Sequence, residues 1–137
     1  MALYAIGDLH LSLTANKSME VFGEAWHNYV NRIEASLSAL TAEDTLLLAG
    51  DTSWGIDMAE AEADFRFLDR FPAKKLLLKG NHDYWWSTVN KMNGFFAEKG
   101  MNSFDFLHNN CHFYGDYALC GTRGWFLDEE GKAHDAK

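Results

Sequence analysis

Three short apolar segments, each closed by a glycine and a group of polar residues, constrain the fold of this chain most strongly. They occupy residues 3–6, 45–49 and 75–79, and each has the length and composition of a buried strand. The stretches between them are long enough for a helix. Strands and helices in alternation predict an α/β fold whose sheet begins as a parallel sheet.

The segments between these strands have the spacing of amphipathic helices. The strongest pattern spans residues 19–40, where apolar side chains recur at three- and four-residue steps: Phe22, Trp26, Tyr29, Ile33, Leu37 and Leu40. A second helix is predicted to begin near Asp57 and Glu60, which resemble a capping box, and to end before Pro72. A third helix is predicted over residues 85–98.

Three β-like runs follow the third helix, at residues 103–107, 112–114 and 117–121. Their short spacing is typical of an antiparallel meander. We therefore predict a mixed sheet within a single domain over residues 1–137, with a frayed polar tail at about residues 128–137.

The charge of the chain excludes a basic nucleic-acid-binding surface. Twelve Lys and Arg residues stand against twenty Asp and Glu residues, a net charge of −8, and the basic residues are scattered. Any phosphate bound here would therefore need a cation to balance its charge. No apolar run approaches the roughly 18 residues of a membrane span, and no basic segment precedes the first strand. We expect a cytoplasmic protein with no membrane partner.

Two cysteines fall within the predicted meander. Gly115 and Asp116 suit a two-residue hairpin turn with glycine in the first central position. Such a turn places Cys111 directly opposite Cys120, within reach of a disulfide. A reducing cytoplasm nevertheless favours two thiols.

The polar residues that close the three strands have the chemistry of a metal site. They are Asp8, His10, Asp51, Asn81, His82 and Asp83. Because parallel strands bring their carboxyl ends to one edge of a sheet, these side chains are predicted to lie together. Carboxylate oxygens and imidazole nitrogens suit divalent Mn, Fe, Zn, Ni or Co. Gly7, Gly50 and Gly80 would let the backbone turn sharply and approach the site closely.

Each of these motifs alone could be an ordinary turn, but the three together, in this order, favour a metal centre. They resemble the first three motifs of the calcineurin-like metallophosphoesterases: Gly7-Asp8-Leu9-His10, Gly50-Asp51 and Gly80-Asn81-His82-Asp83. Residues 77–86 and 120–125 further resemble a small bacterial branch of that family. The resemblance covers about residues 3–126 and implies the family's helix-flanked β-sandwich, here with its second sheet incomplete.

The resemblance also implies a role for each matching residue. Asp8 and His10 would ligate a first divalent metal, Asp51 would bridge two metals, and Asn81 would ligate the second. His82 would lie beside the metals and assist the leaving group. The reaction would be hydrolysis of a phosphate ester by a metal-bridging water or hydroxide.

This chain carries only the N-terminal portion of the family's pattern. Two later histidine motifs that complete the family's site are absent, and a full domain would need roughly another hundred residues. His108 and His112 are expected to be ordinary strand or loop positions. Two alternatives therefore stay open. One is a truncated or degenerate, non-catalytic domain that binds at most one metal. The other is one half of a split enzyme. An uncovered sheet would also favour self-association.

Three further residues are candidates for contact with substrate. Trp54, where the family often has Asp, and Trp85 could form an aromatic wall, although core packing is the commoner use of such residues. Arg123 could hold a phosphate with two hydrogen bonds, or form a surface ion pair. Asp83 is expected either to orient His82 or to cap the third helix.

Overall fold

The computed structural model describes residues 1–123, so the frayed tail predicted at residues 128–137 lies outside the described part. Nothing in the structure tests the prediction of a single domain. The elements in chain order are β1 (Leu3–Ile6), α1 (Tyr29–Leu37), β2 (Thr45–Leu48), α2 (Glu62–Asp69), β3 (Lys74–Leu77), α3 (Val89–Glu98), β4 (Phe104–Phe106), β5 (Asn110–Tyr114) and β6 (Tyr117–Gly121).

Strands β1 to β4 form one sheet in the order β1-β2-β3-β4, with every neighbouring pair parallel. The three predicted strands are confirmed, and so is the α/β fold class. The fourth strand corrects the predicted meander, because the run near residues 103–107 joins this parallel sheet. Helix α3 leads from the end of β3 back to the start of β4, which is the crossover that parallel pairing requires.

Strands β5 and β6 form a separate two-stranded antiparallel sheet. Its register pairs Tyr114 with Tyr117 and Cys111 with Cys120, as predicted, and Gly115 in the turn has a φ of +56°. The two cysteine Cα atoms lie 4.1 Å apart, and the sulfurs are joined in a disulfide. The expectation of two thiols is therefore corrected, because direct cross-strand pairing brings the sulfurs into bonding contact.

The long helix predicted over residues 19–40 is also wrong. The segment begins with two short 3₁₀ helices, and α1 follows only at Tyr29. Two left-handed residues divide it, Gly23 with a φ of +124° and Asn28 with a φ of +53°, which an α-helix cannot contain. The predicted apolar stripe is buried only from α1 onward, where Tyr29 and Leu37 are both buried, whereas Phe22 ahead of the break is 69% exposed.

The capping interaction predicted for the second helix is present, although it closes a turn ahead of α2. The Glu60 backbone N–H donates to Asp57 Oδ1 at 2.9 Å, and the Ile56 N–H donates to Glu60 Oε2 at 2.8 Å. Helix α3 begins later than predicted, after Thr88, whose hydroxyl accepts from the Lys91 N–H at 3.4 Å.

The core lies between one face of the parallel sheet and helices α2 and α3. Phe65 of α2 packs against Trp85, Phe96 and Phe104, with ring centroids 4.8, 5.1 and 5.5 Å away. Edge-to-face contacts of this kind add to the stabilisation from apolar burial. Within residues 1–123, none of the helices is long and apolar enough to span a bilayer.

Candidate metal centre

The polar segments that follow β1 and β2 run side by side beyond the ends of the strands. The Asp8 N–H donates to the Gly50 carbonyl at 3.0 Å, and the His10 N–H donates to the Asp51 carbonyl at 2.9 Å. These hydrogen bonds extend the parallel pairing into the loops. Residues 8–10 are thereby held beside Gly50 and Asp51 at one end of the sheet, as the order of the motifs predicts.

Three of the candidate ligand residues have left-handed backbone conformations. The φ angles are +55° at Asp8, +44° at His10 and +52° at Asp51. Such conformations are uncommon outside glycine, cost on the order of 1 kcal/mol or more, and concentrate at functional sites. The loop-to-loop hydrogen bonds hold these residues in place against that cost.

Close approach of the β2 and β3 loops depends on two glycines. A Cβ atom on Gly50, whose φ is +107°, would lie 2.8 Å from the Cα of Gly80. A Cβ atom on Gly80 would collide with both the backbone and the carboxylate of Asp51. The predicted close backbone approach is thus confirmed at these two positions, and the β3 loop lies directly against Asp51.

Side chains from all three loops converge on the Asp51 carboxylate. His82 Nδ1 lies 2.9 Å from Asp51 Oδ2, and the His82 backbone N–H donates to Asp51 Oδ1, also at 2.9 Å. His10 Nε2 lies 3.8 Å from Asp51 Oδ2 and 3.7 Å from Asp8 Oδ1. Ligand atoms of His10, Asp51 and His82 all lie within 4.8 Å of one another.

The donor set fits a divalent cation. The distances from His10 Nε2 to the two carboxylates are too long for direct hydrogen bonds, yet all three groups face a common space. His10 Nδ1 is buried without a hydrogen-bond partner among the described residues. Asp51 is only 6% exposed, and a buried carboxylate is strongly stabilised by a nearby cation. Two carboxylates, from Asp8 and Asp51, beside the His10 imidazole suit Mn, Fe, Zn, Ni or Co.

The other two predicted ligands are more exposed. The Asp8 side chain is 76% exposed, although its Oδ1 lies beside His10. Asn81 is exposed, and its side chain makes no hydrogen bond within residues 1–123. The structure therefore brings four of the predicted site residues together and leaves the Asn81 side chain in solvent beside them.

Of the three candidates for substrate contact, only Trp54 lies at this cluster. Its ring stacks on His10, with centroids 4.8 Å apart and planes inclined by 25°, and lies 4.9 Å from His82. Its Nε1 lies 3.3 Å from Met19 Sδ, and Lys17 Nζ lies 5.3 Å from the ring centroid. Trp54 thus forms one wall of the candidate metal centre.

Trp85 does not line the site, which corrects its place among the candidates. It is 2% exposed and packs edge-to-face on Phe65. The chain turns immediately after His82, and this turn directs residue 85 into the core between the sheet and the helices. Its indole N–H donates to Asp83 Oδ1 at 2.8 Å, which satisfies the one polar group of the ring.

Asp83 has a role that the sequence did not reveal. It is 1% exposed, and its carboxylate accepts backbone N–H bonds from Asp51, Thr52 and Gly80, each at 2.8 Å. Burial raises the pKa of Asp83, while hydrogen bonds from groups that include the Gly80 and Thr52 N–H oppose the rise. Neither expected role is observed, since Thr88 caps α3 and the contacts of Asp83 among the described residues do not include the His82 ring. Asp83 instead ties the β2 loop to the β3 loop.

A second buried carboxylate, Asp64 of α2, connects the helix layer to the site loops. It accepts from Ser53 Oγ at 2.5 Å and from the Leu13 N–H at 2.8 Å. Burial raises its pKa, and these two hydrogen bonds oppose that rise. The sequence shows Asp64 only as a polar residue within a helix, and no spacing rule identifies its partners.

Arg123 lies outside the His10–Asp51–His82 cluster and lines a neighbouring cleft. The cleft has a volume of about 690 Å³, and Lys79, Thr88 and His108 also line it. Burial and the positive charge of Arg123 both lower the pKa of Lys79, burial having the larger effect. The two cations are therefore close enough to interact.

Comparison with known proteins gives the same indication as the motifs. The family model of the calcineurin-like phosphoesterases matches residues 1–133. A crystal structure titled as a protein of unknown function, AQ665 from Aquifex aeolicus, is 22% identical and superposes with a TM-score of 0.53. The alignment covers 86% of this chain and 58% of that one, and the likeness supports the fold alone. No curated protein sequence matches the chain significantly.

Proposed function

Because the chain belongs to the calcineurin-like phosphoesterase family, we propose that it forms the N-terminal half of a binuclear metal centre that hydrolyses phosphate esters. The observation that carries the proposal is the convergence of His10, Asp51 and His82 within 4.8 Å at the carboxyl end of the parallel sheet. Asp8 lies within 3.7 Å of the same group.

The positions of Asp8, His10 and Asp51 support a role for each of them, and the family's pattern suggests a role for Asn81. Asp8 and His10 would hold the first cation, Asp51 would bridge, and Asn81 would complete the second position by turning from solvent toward Asp51. Bound divalent cations would activate water and neutralise the charge of the phosphate. Trp54 packs on His10 and so limits the orientation of the imidazole ring.

His82 is suited to deliver a proton to the leaving group. Its Nδ1 is held by the Asp51 carboxylate at 2.9 Å, which leaves Nε2 as the atom that can face the substrate. The ring is partly exposed and flanked by Trp54. Imidazole transfers protons effectively near neutral pH, so His82 would protonate the departing alkoxide.

A second candidate function is a domain that binds a single cation and does not catalyse. It is favoured by the exposed position of the Asn81 side chain. One half of a split enzyme has the same local features. Both predict one cation site in this chain, and so does the proposed half of a binuclear centre, so hydrolysis separates the first candidate function from the second, whereas the number of sites does not.

The test is titration of the protein with Mn²⁺ by calorimetry, followed by assay of p-nitrophenyl phosphate and a phosphodiester. We expect one detectable site per chain, lost in Asp51→Asn and retained in Asp57→Asn, which alters an exposed carboxylate outside the site. Hydrolysis that requires both Mn²⁺ and Asp51 would establish the enzyme. Mn²⁺ binding without hydrolysis would favour the second candidate, and no binding would reject both.

A further inference from the structure

Two aromatic rings border the imidazole of His82, the residue that would protonate the leaving group. The centroid of the Trp54 ring lies 4.9 Å from that of the His82 ring, and the centroid of the Tyr84 ring lies 6.2 Å from it in an edge-to-face contact. Because Nδ1 of His82 is held by Asp51, Nε2 is the atom left for a substrate. A leaving group that takes a proton from Nε2 therefore departs beside aromatic side chains.

The turn after His82 places Tyr84 on the solvent side of the loop. Asp83 and Trp85 are anchored in the interior, with exposures of 1% and 2%, while Tyr84 between them is 57% exposed. The Tyr84 N–H donates to the His82 carbonyl at 2.9 Å, which keeps these two residues in one tight turn. Much of the Tyr84 ring is therefore available for contact with a ligand at His82.

Trp54 is held in place by its neighbours, whereas Tyr84 is open. The Trp54 ring stacks on His10 with centroids 4.8 Å apart, its indole N–H donates to Met19 Sδ, and Lys17 Nζ lies 5.3 Å from the ring centroid. Single exposed aromatic residues are common on protein surfaces. Tyr84 differs from such a residue because it lies beside an imidazole that Trp54 also borders.

We propose that Tyr84 and Trp54 form a leaving-group subsite that selects phosphate esters of aromatic alcohols. The proposal rests on the proposed function, since His82 would protonate the alcohol as it departs. A hydrogen bond from Nε2 places the ester oxygen about 3 Å from the imidazole, so the ring of the alcohol must be attached close to that oxygen. Phenols and benzyl alcohols meet this condition, and their rings can pack on Tyr84 in the offset or edge-to-face arrangements that aromatic pairs prefer.

The first experiment compares benzyl phosphate with cyclohexylmethyl phosphate in the Mn²⁺-loaded protein. The two leaving groups are similar in size and acidity and differ in aromatic character. We expect kcat/KM to favour the benzyl ester about threefold to tenfold, the range that an aromatic pair supplies. Tyr84→Phe should retain this preference, and both Tyr84→Ala and Tyr84→Leu should abolish it. Tyr117→Ala, which removes an exposed tyrosine of the hairpin, is the control and should leave both rates unchanged.

The second experiment measures binding without turnover. Benzylphosphonate and methylphosphonate, whose carbon–phosphorus bonds resist hydrolysis, are titrated into the Mn²⁺-loaded protein by calorimetry. Tyr84→Ala should weaken the binding of benzylphosphonate about threefold to tenfold and leave the affinity for methylphosphonate unchanged. Equal losses for the two phosphonates would mean that Tyr84 acts on the phosphate end or on the fold, and would overturn the subsite.

The subsite and the proposed function fail separately. Binding of benzylphosphonate that depends on Tyr84, without hydrolysis of either ester, would keep the aromatic subsite but reject the proposed function, and with it the assignment of the ring as a leaving group. Hydrolysis of the two esters with equal kcat/KM, or a preference unchanged in Tyr84→Ala, would overturn the subsite and leave the metal centre standing. Neither binding nor hydrolysis would overturn both.

Discussion

In the loops that follow β2 and β3, buried backbone N–H groups find partners inside the chain, whereas the β1 edge and the β5–β6 hairpin leave large apolar side chains in solvent. The single carboxylate of Asp83 accepts three of these hydrogen bonds, from the N–H groups of Asp51, Thr52 and Gly80. By contrast, Phe113 is 89% exposed and Tyr117 is 73% exposed.

The chain thus fixes its site loops through its own contacts, whereas it leaves the apolar surface of the hairpin and the β1 edge for another surface to cover. The site loops are fixed by short contacts among themselves, so the candidate ligands are positioned in advance. Within residues 1–123, the hairpin exposes apolar area and β1 has a strand neighbour on one side only, and both features favour association.

Removal of the Asp83 carboxylate should have the largest effect. Asp83→Ala leaves several buried N–H groups unpaired, each at a cost of about 1–3 kcal/mol, so we expect a loss of about 4 kcal/mol or more in the free energy of unfolding. Mn²⁺ binding should be lost as well. Denaturant unfolding and calorimetry measure the two effects.

Asp83→Asn separates positioning from charge, because it keeps one acceptor oxygen and should restore part of both stability and Mn²⁺ affinity. Asp116→Ala, in the exposed hairpin turn, is the control and should change neither. Wild-type Mn²⁺ affinity in Asp83→Ala would show that the loops hold their positions without this contact.

Gly80→Ala should have the next largest effect. Because the new Cβ would collide with Asp51, the β3 loop must move, and we expect destabilisation of about 3 kcal/mol together with weaker Mn²⁺ binding. Gly94→Ala is the matched control, since a Cβ there meets nothing within 4 Å and alanine favours the helix by up to about 1 kcal/mol. If both variants unfold at the same denaturant concentration, the loops are not packed as described.

Replacement of His82 tests the proposed proton transfer to the leaving group at the site loops. In metal-loaded protein, His82→Ala should lower turnover of an alkyl phosphate by about 10²-fold, the usual scale for general acid catalysis. The loss should be smaller for p-nitrophenyl phosphate, whose leaving group needs little protonation. Metal content should stay unchanged, whereas Asp51→Asn should remove metal and activity on both substrates. Loss of metal in His82→Ala would make His82 a ligand instead.

Lys75 tests the opposite end of the sheet, at the start of β3. Its ammonium group is buried and donates to the Phe71 carbonyl and to Ser103 Oγ, and burial lowers its pKa to about 8 from 10.5. Since the unfolded chain keeps this proton up to a higher pH, stability should rise as the pH increases from about 8 to 10.5.

Relative to Lys75→Met, the wild-type free energy of unfolding should therefore increase by about 2 kcal/mol between pH 7 and pH 10. A flat difference for Lys75→Met would mean that water reaches the ammonium group.

The exposed hairpin should give the smallest effect. If the apolar surface of β5–β6 drives self-association, Phe113→Ser should raise the dimer dissociation constant about tenfold, or about 1.4 kcal/mol. Val21→Ser, at an exposed position outside the hairpin, is the control. Sedimentation that shows a monomer for the wild type at all concentrations would remove the basis of this prediction.

The sequence predicts the parallel strands well because their apolar runs and closing glycines are local signals. It also predicts which polar residues gather, since parallel pairing brings strand ends together whatever the details of the loops. The prediction of a helix over residues 19–40 was wrong because the spacing of apolar residues gives no information about the left-handed conformations of Gly23 and Asn28. Apolar residues continue at three- and four-residue steps in the sequence across the break, so the pattern alone cannot detect it.

For a different reason, the sequence did not show the role of Asp83 and left both the core and the site open as places for Trp85. Both depend on the direction in which the chain turns after His82, and this turn is fixed by contacts with residues about thirty positions earlier, among them Asp51 and Thr52. No local rule contains that information. Burial of an acidic residue also opposes the usual preference of carboxylates for solvent.

The left-handed backbone at Asp8, His10 and Asp51 limits how this site can change by mutation. Glycine, asparagine, aspartate and histidine enter that conformation most readily. A β-branched or bulky replacement would strain the loop, whatever its effect on cation binding. Glycine would fit the conformation but would offer no ligand atom. Asparagine alone keeps both the conformation of an aspartate and one of its oxygens. Asparagine is therefore the substitution that Asp8 and Asp51 tolerate best, and it removes the charge while the loop keeps its conformation.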